Sequence, residues 1–273
     1  MAEESGVFPS PIEQLGRKPT PEEAFWMFMT PVRVPMARKE KLVFDSAQSF
    51  EIKSDGEAIQ GYSWGEGEKL AFLSHGWNGR AANLSAYVEP LLARGYRVLA
   101  LDAPGHGESE GTVCNAPRYA RCWLAVAEEY GSPQAMVCHS FGAMACTVAQ
   151  KWNLSVENAI YLGPLSDIPK RFREFCRLCQ FSDAEIEEML RIARAHFSEF
   201  VLEDFNGDVA AKNFTSQGLI IHDDQDQEAD WAEGKAIADA WPNAQMFTTS
   251  GLGHFRILRS QLVIKTVMDF LER

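Results

Sequence analysis

Cys138-His139-Ser140-Phe141-Gly142 holds the most pointed chemistry in this chain of 273 residues. The apolar run Ala135-Met136-Val137 precedes it and the helix-forming run Ala143–Ala149 follows, so the serine falls on a sharp turn between strand and helix. Such a turn holds a serine in a strained conformation with its hydroxyl projecting above a sheet, ready to attack a carbonyl carbon. The residues two before and two after it must be small. Gly142 fits, and Cys138 stands where glycine is usual. A small-x-Ser-x-Gly pentapeptide also occurs in ordinary turns, so a nucleophile here needs a base and an acid elsewhere in the chain.

Four segments bear on that requirement. Leu70–Ser74 is an apolar strand running into His75-Gly76-Trp77-Asn78-Gly79, a glycine-containing turn. Tyr96–Asp102 reads as a buried parallel strand that ends in the tight loop Ala103-Pro104-Gly105-His106-Gly107-Glu108-Ser109. That loop must turn sharply to clear a pocket, so it reads as structural and His106 is not the base. Gly218–Ile221 is a short buried strand followed by His222-Asp223-Asp224-Gln225-Asp226, where an acid is expected; Asp223 and Glu228 read as solvated loop residues. Ala244–Thr248 reads as a strand, and the loop Thr249–Gly253 after it delivers His254, which can reach back over the sheet edge to the serine. The chain has six histidines. His196 lies in a helical stretch, His139 inside the serine turn and His222 at a strand end, all worse placed to serve as base.

In this order, from about Leu42 to Leu271, the segments resemble the α/β-hydrolase fold family, with the poorest coverage in the middle helical stretch. The resemblance implies an α/β fold with a mostly parallel central sheet flanked by helices and a small helical cap insert. It implies Ser140 as nucleophile, His254 as base, and as acid Asp226, four residues beyond a histidine at a strand end, with Asp224 the alternative register. Backbone amides of Trp77 and Phe141 would hold the oxyanion, and Gly76 and His139 would border the substrate pocket. The expected organisation is an N-terminal arm over 1–40, a core over 41–164 and 214–273, and a cap over 165–213. The expected activity is cleavage of carboxylic esters of small to medium acyl chain, without cofactor or metal. The acyl size rests on the compact cap and on the single bulky Trp77 in place of a glycine run. A peptidase, thioesterase or lactonase would use the same three residues. A free amino terminus could meet the acidic cap residues Asp183, Glu185, Glu187 and Glu188, although these read as a solvated helix face. A binding protein that kept the fold without catalysis is the reading of another class; loss of a triad residue would mark it, and none is lost.

Composition agrees. Hydrophobic residues make up 46% and charged residues 23%, as in ordinary globular domains. A net charge of −12 argues against nucleic acid or an anionic membrane surface as partner. No run approaches the roughly 20 apolar residues that cross a bilayer. The start Met1–Gly6 lacks the basic and apolar regions of a signal peptide, so a cytoplasmic protein with a small-molecule ester substrate is expected, with a homodimer left open. The six cysteines are expected to be reduced, with Cys122, Cys138 and Cys146 acting as small hydrophobes and the Cys176 and Cys179 pair as two residues of one helix face. In the arm, Ala24–Met29 forms a short apolar helix expected to pack on the domain; the alternative is that its Phe, Trp and Met cluster contributes to substrate access or a subunit contact. Leu84, Val88, Leu91 and Leu92 share one helical face ended by Gly95; Tyr119, Cys122, Trp123 and Val126 share another. The cap stretch carries Phe172, Phe175, Leu178, Met189, Ile192 and Phe197 at helical spacing.

Overall fold

The apolar runs fold as the inner strands of one sheet, because parallel strands covered by helices on both faces can bury every side chain. A computed structural model describes residues 10–273, so the acidic start and Pro9 of the expected arm lie outside the described residues. The strands are β1 (Gln48–Ser54), β2 (Glu57–Trp64), β3 (Lys69–Ser74), β4 (Tyr96–Leu101), β5 (Ala135–His139), β6 (Asn158–Leu162), β7 (Gln217–Asp223) and β8 (Ala244–Thr249). They lie in the order β1-β2-β4-β3-β5-β6-β7-β8. β1 and β2 pair antiparallel, as do β2 and β4; from β4 onward every pairing is parallel. The β1–β2 hairpin turns on Asp55 (φ +50°) and Gly56 (φ +81°), the two left-handed positions that a tight hairpin needs.

The α-helices of the described residues are α1 (Pro11–Leu15), α2 (Pro21–Met29), α3 (Arg38–Phe44), α4 (Val88–Leu92), α5 (Ala116–Tyr130), α6 (Phe141–Lys151), α7 (Ile168–Leu178), α8 (Asp183–His196), α9 (Gly207–Ala210), α10 (Trp231–Ala240), α11 (Gly253–Arg256) and α12 (Gln261–Leu271). On one face of the sheet Tyr119 and Trp123 of α5, with Trp241 after α10, meet Phe72, Met136 and Ile220. On the other, Leu84, Leu91 and Val267 meet Leu73, Val137 and Ile221. Strand residues alternate between these two cores, as the pleat dictates. Each fully buried side chain of this size contributes about 1.5–3 kcal/mol. The expected face Leu84–Leu92 is only half α-helical: Ala81–Tyr87 is a 3-10 turn that runs into α4, and Gly95 ends it with φ +77°.

Between β6 and β7 the chain forms α7, α8, α9 and 3-10 turns, and α2 of the arm packs onto α7 and α8. Phe25, Met29, Phe172, Phe175, Met189 and Phe197 are buried together there. The Phe25 and Phe172 rings stack at 6.3 Å. Thr20 caps α2, its hydroxyl accepting from Glu23 N at 3.2 Å while the Glu23 carboxylate accepts from Thr20 N at 2.8 Å. The six cysteines are buried free thiols; Cys176 lies in α7 against Met189, and Cys179 ends that helix.

The loop after β4 is built around a buried carboxylate. Asp102 accepts from Ala81 N at 2.8 Å, Glu108 N at 2.9 Å and the Tyr62 hydroxyl at 3.2 Å, with Arg80 3.8 Å away. Gly107 (φ +45°) passes so close that a Cβ there would sit 2.0 Å from Asp102 Oδ2. Replacing Asp102 by Ala orphans these donors and strips Arg80 of a buried counter-charge. We expect Asp102→Ala to lower unfolding free energy by about 3–5 kcal/mol in urea titrations; a loss under about 1 kcal/mol would mean that the loop is held otherwise.

Candidate active site

Ser140 stands between β5 and α6 with φ +50° and ψ −117°, a conformation that a non-glycine residue holds only when its surroundings enforce it. They do so from three sides. Ser140 N donates to Leu162 O at 3.0 Å, tying the turn to β6. A Cβ on Gly142 would lie 2.3 Å from Ser74 O, so only glycine lets α6 start this close to β3. A Cβ on Gly76 would lie 3.2 Å from Ser140 Cβ, so the loop after β3 also comes up against the serine. Cys138 is fully buried in β5 opposite Ser74, and the turn accommodates it. The serine side chain makes no helix-capping bond and lines a cavity.

Asp226 and His254 are brought together. His254 Nδ1 lies 2.7 Å from Asp226 Oδ2, both side chains nearly or fully buried. His254 sits in the short helix α11, directly after Gly253 (φ +64°), where a flexible loop was expected. Gly163, after β6, passes so close that a Cβ would lie 3.1 Å from His254 Nδ1 and 3.3 Å from Asp226 Oδ2. The other Asp226 oxygen accepts from Glu228 N at 2.8 Å and Ala229 N at 2.9 Å. Burial pushes its pKa upward, but the hydrogen bonds from His222 and His254 outweigh that and hold the carboxyl below the usual carboxylate range. Asp224, the alternative acid, is exposed.

Two residues of this loop play parts that the sequence reading missed. Asp223 is buried rather than solvated: its carboxylate accepts from Thr249 Oγ1 at 2.8 Å, Leu252 N at 2.9 Å and Gln225 N at 3.1 Å. It therefore fixes the loop that carries His254. His222 lies with Nε2 3.0 Å from Ala229 O and 3.5 Å from Asp226 Oδ2, behind the acid. The alternating strand pattern of β7 already put one of His222 and Asp223 on each sheet face, but which loop groups awaited them is a tertiary matter.

His75 and His106 are scaffold. His75 Nδ1 donates to Gly76 O at 2.7 Å while Nε2 accepts from Ala103 N at 2.9 Å; burial lowers its pKa to about 4. His106 accepts from Asn78 N at 3.2 Å and donates to Pro104 O at 2.9 Å, and burial lowers its pKa to about 3. Both are neutral at pH 7. His139 lies in contact with the His254 ring at 4.6 Å, its Nε2 3.0 Å from His254 O.

Two adjacent chambers lie at this point. A cavity of about 310 Å³ is lined by Ser140, His139, His254, Gln227, Glu228 and Glu174, among others. A smaller one of about 130 Å³ is almost wholly apolar, walled by Met29, Phe141, Met144, Phe172, Phe200 and Phe205, among others. Phe28, Trp77, Leu165 and Arg171 border both. Arg171 is charge-balanced by Glu233 at 2.6 Å and Glu174 at 2.8 Å. Trp77 follows Gly76 on the loop against the serine, and Phe141 follows the serine itself; their rings meet at 5.0 Å. Among the described residues no group of three or more His, Cys, Asp or Glu could hold a metal ion, and no helix is long and apolar enough to cross a membrane.

Comparison with known proteins places these features. Residues 71–266 match the model of the alpha/beta hydrolase family. A 2-hydroxy-6-oxononadienedioate/2-hydroxy-6-oxononatrienedioate hydrolase of Pseudomonas putida is 44% identical over 57 residues, 20% of this chain and 20% of that protein. Its counterpart from Klebsiella pneumoniae is 30% identical over 107 residues, 36% of this chain. The match thus spans a fifth of the first relative and 37% of the second. Among solved structures, an esterase from a Rhodococcus species superposes with a TM-score of 0.64 at 18% identity, covering 83% of this chain and 98% of that one. Est1E of Butyrivibrio proteoclasticus, solved with ferulic acid bound, gives 0.63 at 21% identity, covering 82% and 96%. These likenesses are of fold, and the matched segment contains β5, the serine turn, β7 and His254 within one continuous stretch: the chain belongs to the alpha/beta hydrolase family.

Proposed function

We propose that this protein is a serine hydrolase that cleaves carboxylic esters of small to medium acyl chain through an acyl-serine intermediate. The observation that carries the reading is the 2.7 Å contact between Asp226 and His254 at a cavity that Ser140 enters from a strained turn. In this reading His254 Nε2 takes the Ser140 proton as Oγ attacks the ester carbonyl. Asp226 accepts from Nδ1–H, which fixes the tautomer and stabilises the imidazolium. The amides of Trp77 and Phe141 receive the oxyanion, each worth roughly 3 kcal/mol. The tetrahedral intermediate collapses, the alkoxide leaves with the proton that His254 returns, and water repeats the sequence on the acyl-serine to release the acid.

The two chambers divide the substrate. The leaving oxygen must reach the proton on His254, so the alcohol occupies the larger and more polar of the two chambers; the acyl group is left with the apolar chamber beside Trp77 and Phe141. A peptidase is less well supported. Two of the acidic cap residues that could hold an amino terminus are engaged, Glu185 by Ser182 N and Lys18 and Glu188 by Arg191. The dienedioates in the relatives' names are dianions, and Arg171, the cation between the chambers, already has two carboxylate partners. A binding-only role is disfavoured because Ser140 and His254 line one cavity, with Asp226 behind the imidazole. A cytoplasmic setting remains part of the proposal on the sequence grounds given above.

Ser140→Ala is expected to abolish labelling by a fluorophosphonate probe and to lower turnover of p-nitrophenyl esters about 10³-fold or more; labelling that persists in the variant would remove Ser140 from the role. Asp226→Asn should cut kcat by about 10⁴ with little change in KM. The same variant has a second readout. The folded pKa of Asp226 lies below the unfolded value of about 3.9, so its stabilisation is complete above that pH and is lost as pH falls through the folded value. The gap in unfolding free energy between wild type and Asp226→Asn should therefore be largest above about pH 4 and shrink below it. A gap that widens with acid would contradict this.

A further inference from the structure

The arm, which lies ahead of the family match, is built into the site rather than laid over the surface. α2 ends in Phe28 and Met29. Phe28 borders both chambers, and its ring lies 4.5 Å from that of Phe172 and 5.3 Å from that of Phe175 in the cap. The backbone that follows is pinned to the core. Met29 O accepts from Cys114 N at 2.8 Å, and Val32 N donates to Asn78 Oδ1 at 2.8 Å, next to Trp77. Asn78 is itself left-handed (φ +55°), a conformation asparagine tolerates better than most residues. Arg33 then donates to four carbonyls of the loop after β4: His106 at 3.0 Å, Ser109 at 2.7 Å, Gly111 at 3.1 Å, and Gly107. One guanidinium satisfying four backbone acceptors fixes the strand of chain behind it. Pro31 fits against Gly105, where an added Cβ would meet its ring at 3.0 Å.

A ring packed on Phe172 and Phe175 of the cap, on a backbone pinned directly beyond it, is held in place against a bulky ligand. Phe28 is therefore a fixed wall rather than a movable one. We propose that Phe28 is the specificity-determining residue for acyl size, its position set by the strap of residues 29–33. This rests on the assignment of the apolar chamber to the acyl group.

The test compares wild type, Phe28→Ala, Phe28→Trp and Trp26→Ala. Trp26 is on the same helix but 43% exposed, and serves as the control. Two ladders are measured: kcat/KM for p-nitrophenyl esters from acetate to decanoate, and calorimetric binding of the corresponding straight-chain carboxylates, which needs no turnover. Phe28→Ala is expected to raise the ratio of long-chain to short-chain substrates about tenfold and Phe28→Trp to lower it, with Trp26→Ala unchanged, since each methylene accommodated in an apolar pocket changes discrimination by about tenfold or more. Unchanged ratios in both Phe28 variants, or an equal change in Trp26→Ala, would overturn the proposal. If no ester is turned over but the carboxylate ladder shifts with Phe28, the esterase reading fails and the wall stands. If wild type neither turns over esters nor binds carboxylates, both fall.

Discussion

With only 2.3 Å between the place of a Gly142 Cβ and the Ser74 carbonyl oxygen, the first turn of α6 rests on the end of β3 at a distance that no side chain allows. This close approach is what holds Ser140 at a positive φ, because the chain must leave β5 and enter α6 within a single residue. The bond from Ser140 N to Leu162 O ties the same turn to the neighbouring strand. The strain, of the order of 1–3 kcal/mol, is tolerable only on a rigid support. The two layers of buried apolar side chains on the parallel strands provide that support.

Around this turn the loops at the same sheet edge are organised by buried carboxylates. Asp102 gathers the loops after β4 and β3, and Asp223 gathers the loops after β7 and β8. Each accepts several hydrogen bonds at once, as a buried anion must if its desolvation is to be offset. The carboxylate of Asp226 is buried too, but it differs in meeting two imidazoles, one of which lines the cavity. Asp102 and Asp223 join pairs of loops, while Asp226 reaches His254.

The cap illustrates how a short helical insert gains a wall that it lacks. α7 and α8 bury their aromatic faces against α2. That packing walls the apolar chamber with Met29, Phe172 and Phe197. Because α2 continues into the strap held by Arg33, the cap and the loop bearing Trp77 share one mechanical connection.

Much of the fold was legible because parallel strands and their helices advertise themselves locally: long apolar runs ending in glycine, then amphipathic stretches at helical spacing. The serine turn was legible for the same reason, since strand, small residues and helix are adjacent in sequence. The β1–β2 hairpin went unread although Asp55-Gly56 is its signal, because the flanking strand β1 is largely exposed and lacks an apolar run. Ser140, Asp226 and His254 could be named from chain order together with the family resemblance, but the meeting of Asp226 with His254 depends on Gly163 lying close against both. Asp223 reads as a loop acid in sequence, and it is the arrival of Thr249 and Leu252 from another strand that buries it. Phe28 reads in sequence as one of a Phe, Trp and Met cluster that either packs or borders an access path; its place between two chambers follows from contacts with residues more than a hundred positions away. The sequence by itself determined which elements form and which side chains have the chemistry. Tertiary structure decided which polar groups are desolvated together and which apolar ones face a cavity, because burial and juxtaposition are properties of distant segments that no local pattern encodes.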